Sequence, residues 1–267
     1  MTVPSFSKAP AGHQNAKPRI QMLEIKDRNC PENETLAWIL IERDEVYHHD
    51  PLTGNLYKAA INLYYCRISD RFPSWHEKRL KFYGEYFPNS FVCIASGGDV
   101  CMEIDELRGQ RIGTYLMNEI VQWAKQWPEA DLRTIHLSAA QAEPDNKDRR
   151  NRLYEQFNIH FHYQDSEHCG GISLPMKAKE LAVNEEWKRN IKEHDMLNYL
   201  TEHHRTLMHL TWTLQNRDRR LEQLDAEIER VNSRQLFQIF KETYEKHIYS
   251  PRTIIFGIMC LLLIIFI

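Results

Sequence analysis

Asp99-Val100-Cys101-Met102-Glu103-Ile104-Asp105-Glu106-Leu107-Arg108-Gly109-Gln110-Arg111-Ile112-Gly113-Thr114 changes character twice within sixteen residues. The first half alternates sides as a strand does, and with Phe91 to Ser96 it forms a hairpin signal across Gly97-Gly98. After Thr114, the residues Tyr115, Leu116, Ile120, Val121 and Ala124 recur at helical spacing as far as Trp127. A strand, a Gly-bearing turn and a helix start therefore stand side by side. The first N–H groups of a helix lack intrahelical acceptors, and its dipole places partial positive charge there, which makes a cradle for phosphate oxygens. Gly109 and Gly113 let backbone approach a ligand closely; a purely structural tight turn is the competing interpretation.

Downstream, a strand from Leu132 to Ala139 leads through the polar loop Glu143-Pro144-Asp145-Asn146 into a helix containing Asn151-Arg152-Leu153-Tyr154-Glu155-Gln156-Phe157-Asn158-Ile159. A further strand follows near Gly171 to Lys179. Upstream, Glu34 to Tyr86 holds the apolar runs LAWILI and AINLYY, whose helices and strands stay unsorted.

Arg108-Gly109-Gln110-Arg111-Ile112-Gly113 resembles the [Q/R]-x-x-G-x-[G/A] acetyl-CoA loop of the GNAT superfamily of N-acetyltransferases, and LYEQFNI is similar to that family's LYxxxGF element. The resemblance covers about residues 19 to 181 and is specific from about 99 to 160. It implies an α/β fold with a GNAT-like mixed central sheet flanked by helices, and direct acetyl transfer from acetyl-CoA to a primary amine. Arg108, Gly109, Gln110, Arg111, Ile112, Gly113 and Thr114 would hold the pyrophosphate. The strand Met102 to Ile104 would supply the carbonyl donor and pair with pantetheine, and Asn146 or Asn151 would contact the coenzyme. Tyr154 matches the general acid beside the sulfur; Glu103 and Asp105, on one strand face, are the general-base candidates, with His136 and Glu106 as substitutes. Two positions depart from the family: Arg111 and Asn158 stand where glycine is usual. The acceptor stays open among small amines, peptide N-termini and lysine side chains. A competing class is a non-catalytic membrane-attached scaffold with a degenerate GNAT fold.

A net charge of -3 gives no broad field for phosphate backbones, so no nucleic-acid partner is expected. Six cysteines without C-x-x-C spacing suggest neither a disulfide framework nor a zinc ribbon, and point to a reducing cytoplasm. His160, His162, His168 and Cys169 lack a carboxylate at fixed spacing, and no metal is expected.

Residues 1 to 18, with Pro4, Pro10 and Pro18, read as a flexible lead. Between Pro175 and Pro251 there is neither Gly nor Pro, which predicts a helical stalk over 182–250. Leu200, Leu207, Leu214, Leu221 and Ile228 mark one heptad position, and His203, Leu210, Arg217, Leu224 and Val231 the other. Eight of these ten are apolar, as a coiled coil requires, so homo-oligomerisation through the stalk is expected, with an intramolecular hairpin as the alternative. A new helix is expected to start at Ser233. Thr253 to Ile267 carries no charge and reads as a C-terminal membrane anchor over 251–267, although a helix of that length reaches only about 22 Å. Lys241, Lys246 and Arg252 before it place the main body on the cytoplasmic side.

Overall fold

The computed structural model describes residues 2–3, 17–30, 32, 34–68, 80–94, 107–142, 144–248 and 251–265. The chain divides into two compact units, Met1–Leu200 and Thr201–Ile267.

In the first unit, β1 (Thr2–Val3) and β2 (Lys17–Pro18) pair in parallel within the expected lead, whose residues 4–16 lie outside those described. The main sheet is built from β3 (Ile20–Lys26), β4 (Thr35–His49), β5 (Leu56–Ile68), β6 (Leu80–Phe87) and β7 (Phe91–Cys93). Then come α1 (Ile112–Ala124), β8 (His136–Leu137), α2 (Pro144–Glu155), β9 (Phe161–Tyr163), β10 (Gly171–Ser173) and β11 (Ile191–Asp195). β11 joins the main sheet, whose order is β11-β3-β4-β5-β6-β7, while β8-β10-β9 forms a separate antiparallel sheet.

Ala37, Ile39 and Ile41 on β4 and Ala59, Ile61, Leu63 and Tyr65 on β5 take alternate positions and are buried together on one face. α1 presents Leu116, Ile120, Val121 and Trp123 to the same core. Gly84 on β6 permits this approach, because a Cβ there would meet Ile120 Cγ2 at 2.8 Å and the Cys93 carbonyl oxygen at 2.9 Å. Gly84→Ala should therefore destabilise the unit by about 1–3 kcal/mol, read as a lower urea midpoint; an unchanged midpoint would show that α1 does not lie so close to the sheet.

All five pairings of the six-stranded sheet are antiparallel, which corrects the mixed central sheet expected from the sequence. Successive strands β3 to β7 pair with their sequence neighbours, an arrangement that needs no helical crossover. LAWILI and AINLYY lie in strands β4 and β5. β7 pairs back onto β6 across a turn in which Asn89 has φ 58°. The Gly97-Gly98 hairpin and the strand 99–106 lie outside the described residues.

The expected stalk is not helical from its start. Glu186–Arg189 is a short 3-10 turn, and β11 follows it on the edge of β3. Absence of Gly and Pro permits a helix without requiring one, and pairing with β3 satisfies this segment's backbone instead. α3 (Met196–Ile248) is then one helix of 53 residues that runs unbroken through Ser233. Its seam faces solvent: Leu200, Leu207, Leu214, Leu221 and Ile228 are 50–59% exposed, so among the described residues of the single chain no coiled-coil packing is shown along it. α4 (Pro251–Ile265) has 15 residues. Among the described residues no helix is long and apolar enough to cross a membrane, which does not support the expected C-terminal membrane anchor.

Candidate functional site

Leu107 to Arg111 turn the chain into α1. Gly109 has φ 82°, and Arg111, the residue before the helix, has φ 63° and ψ 14°. This left-handed geometry is what glycine tolerates best, so the side chain at Arg111 costs the backbone about 1–2 kcal/mol. The Arg111 carbonyl accepts the first helical bond from Tyr115 N at 3.0 Å. Among the described residues no side chain caps the helix N-terminus, and its first turn holds no acidic residue. Ile112 and Thr114 are buried, so what they can offer a ligand is backbone N–H rather than side chain. Arg108 and Gly109 are exposed.

Two distant residues hold this loop. Asn190, 4% exposed, donates from Nδ2 to the carbonyls of Lys26 (3.0 Å) and Gln110 (3.1 Å), and its Oδ1 accepts from Arg111 Nη1 at 2.8 Å. Arg28 donates its backbone N–H to Gln110 Oε1 at 2.8 Å and its Nη1 to the Gly109 carbonyl at 3.3 Å. Burial, and after it the positive charges of Arg28 and Arg189, pull the Arg111 guanidinium below its ordinary pKa, with Glu186 acting the other way. Cations thus gather where a helix also presents its positive end. Neither Arg28 nor Asn190 carries a local sequence signal.

A second feature lies at the edge of β7. Val92 bridges Leu132 in parallel, with Val92 N donating to the Asp131 carbonyl and Arg133 N to the Val92 carbonyl, both at 2.8 Å. The next rung of a parallel ladder would take the Ile135 N–H. It donates instead to Ser173 Oγ at 2.9 Å, and Ser173 N donates back to the Ile135 carbonyl at 2.9 Å. Among the described residues the parallel contact therefore stops after one rung, and the chain beyond Leu132 turns to β10.

Tyr154, near the end of α2, is 1% exposed and packs edge-to-face on Phe161 with centroids 5.3 Å apart. Asn158 has φ 65°, and the N–H groups of Phe157 and Ile159 both donate to the Tyr154 carbonyl, closing the helix end in left-handed geometry. Asn146 donates to the Gln141 carbonyl at 2.9 Å, and Asn151 donates to the His168 carbonyl at 3.0 Å while accepting from Arg150 Nε. Both amides are engaged in shaping their own loops. His136 is exposed on β8. Met102, Glu103, Ile104, Asp105 and Glu106 lie outside the described residues. Among the described residues no group of three or more His, Cys, Asp or Glu comes together to hold a metal ion.

Sequence patterning missed a buried ion network between the sheet and α1. Arg43, 9% exposed, donates Nη1 to Glu119 Oε2 at 2.6 Å and Nε to Glu45 Oε1 at 2.7 Å. Lys17 pairs with Glu119, and Tyr47 Oη donates to Glu45 Oε2 at 2.6 Å. Burial pushes the Glu45 carboxyl up, but the Arg43 charge and the bonds from Tyr47 and Arg43 outweigh it and hold its pKa below the usual carboxylate value. Next to this network, Tyr115 Oη donates to Glu193 Oε1 at 2.8 Å, tying α1 to β11. Each charge has an opposite partner, so the network locks elements together and leaves no group poised for proton transfer.

Compared with known proteins, the chain matches no protein family, no curated protein and no solved structure.

Proposed function

We propose that this chain is an acetyl-CoA-dependent N-acetyltransferase that passes an acetyl group to a primary amine. The observation that carries this function is the N-terminus of α1: a first turn with no acidic residue and no cap from a described side chain, entered through left-handed Arg111 and flanked by Arg28 and Arg189. A coenzyme A pyrophosphate suits that donor set, because two phosphates call for N–H groups and cations together. The likeness of Arg108 to Gly113 and of Leu153 to Ile159 to the GNAT motifs adds support. This function rests on those local features and not on the main sheet, whose antiparallel order departs from the mixed sheet that the motifs imply.

The parting of the chain from β7 after Leu132 supports a slot for the extended pantetheine arm, which bonds to strand edges. Acetyl-CoA supplies the acetyl group already activated as a thioester. The acceptor amine gives a proton to a base, with Glu103 and Asp105 as candidates outside the described residues; a C–N bond forms and the C–S bond breaks. Tyr154 then returns a proton to the departing sulfur.

Release of free thiol from acetyl-CoA in the presence of amines, lysine peptides and peptide N-termini tests this function, and transfer to at least one class is expected. No release with any class, from a chain that also fails to bind acetyl-CoA, would refute it. Gly113→Leu, which places bulk in the first turn, should weaken acetyl-CoA binding at least about tenfold, or 1.4 kcal/mol, with the far-UV spectrum and melting curve unchanged. Equal affinity in wild type and variant would remove the loop from the site.

A further inference from the structure

We propose that residues 234–246, in the last third of α3, form an amphipathic face that lies flat on an anionic lipid surface. Leu236, Phe237, Ile239, Phe240 and Tyr244 are 58–71% exposed on one unbroken helix. At about 100° per residue they fall, with Thr243 among them, in an arc of about 160°. Phe240 and Tyr244 stack with ring centroids 6.4 Å apart, which gives the arc an aromatic ridge. Lys241 and Arg234 stand at one border of the arc and Lys246 at the other, while Glu242 and Glu245 take the far side with Gln235 and Gln238.

The order of charges around the helix selects lipid as the occupant. Cations at both borders of an apolar arc lay their methylene stems along it and set their charged heads at the depth of lipid phosphates, while the carboxylates stay farthest from that surface. Lys241 meets Glu245 only at 4.0 Å on an exposed face, so little holds it back from a phosphate. A protein groove would instead enclose these borders, where lysine is a disfavoured residue. The arc also turns away from the upstream stripe of α3. Continuing the spacing of Leu221, Leu224, Ile228 and Val231 by seven leads to Gln235, Gln238, Glu242 and Glu245, all polar, so a helix packed along that stripe would leave the aromatic arc bare. Beyond the arc, Thr253 to Ile265 carries no charge, and the large apolar side chains of α4 from Ile254 to Leu262 are 46–68% exposed. One protein partner covers one side of such a helix, whereas a lipid layer receives apolar surface from several. A face resting on the lipid surface requires no helix to cross it.

Sedimentation of the intact chain with sucrose-loaded vesicles, after dilution from mild detergent, tests the lipid face. Phosphatidylcholine vesicles holding about 30% phosphatidylglycerol are expected to bind it at least about tenfold more tightly than phosphatidylcholine alone. Phe237→Ser with Phe240→Ser, and separately Lys241→Glu with Lys246→Glu, should each weaken binding to the anionic vesicles at least about tenfold, with α4 unchanged in both. All four side chains are exposed, so neither pair of changes opens a cavity, and an unchanged far-UV helical signal checks the fold. Leu236→Trp and Tyr244→Trp report the orientation through quenching by brominated lipid, read above the six native tryptophans. The two added indoles should lie within about 3 Å of each other in depth, although they stand about 12 Å apart along the helix axis. Binding indifferent to the phenylalanine changes, or equal on neutral and anionic vesicles, would overturn the lipid face and leave a protein partner to cover the arc. Depths about 12 Å apart would overturn the flat orientation.

Discussion

Glu119→Ala is expected to cost the first unit about 3–5 kcal/mol, because it leaves the Arg43 guanidinium buried without one of its two carboxylates. Arg43 is 9% exposed and cannot turn to water without breaking its bond to Glu45, so the penalty is the desolvation of an uncompensated charge rather than the loss of one attractive pair. The same reasoning predicts that Arg43→Met combined with Glu119→Leu does not regain the loss, because it leaves the Glu45 carboxyl, whose side chain is 1% exposed, without its cation. Urea unfolding of the two variants checks both statements. A loss below about 1 kcal/mol for Glu119→Ala would mean that water reaches Arg43 in solution.

Tyr154→Phe should lower turnover about 10²–10⁴-fold while leaving acetyl-CoA affinity nearly intact. The ring stays where it is, packed on Phe161 in a site 1% exposed, so only the phenolic hydroxyl is removed. Steady-state rates with a good acceptor, set beside binding by the same variant, separate the two effects. An unchanged rate would assign the proton to another group or to water. A parallel fall in affinity would mean that Tyr154 shapes the pocket rather than the chemistry.

The start of α1 is legible because Gly109 and Gly113 sit before a clear 3.6-residue repeat, and the helix does begin at Ile112. The antiparallel sheet is not legible, for a reason visible in β4. Ala37, Ile39 and Ile41 point into the core, but Trp38 and Leu40 on the other face are also apolar, so the two-residue period disappears into one run. β11 is hidden differently: Lys192, Glu193 and His194 look like surface helix, and only their register with β3, across more than 160 residues, makes them a strand. Long-range pairing of this kind leaves no local pattern. The same holds for Asn190 and Arg28, which secure the phosphate-loop candidate from afar. The ion network did leave a trace. Arg43 and Glu45 continue the inward phase of β4, and Glu119 sits among Tyr115, Leu116 and Ile120 on α1. Opposite charges on the core phase of two elements mark a buried pair, provided the two elements are known to meet.

Equilibrium dialysis of the intact chain against labelled acetyl-CoA tests the central functional proposal most directly. Binding with a dissociation constant of about 1–100 μM, displaced by free coenzyme A and weakened by Gly113→Leu, is the predicted result. No binding at millimolar acetyl-CoA by a folded chain would contradict it.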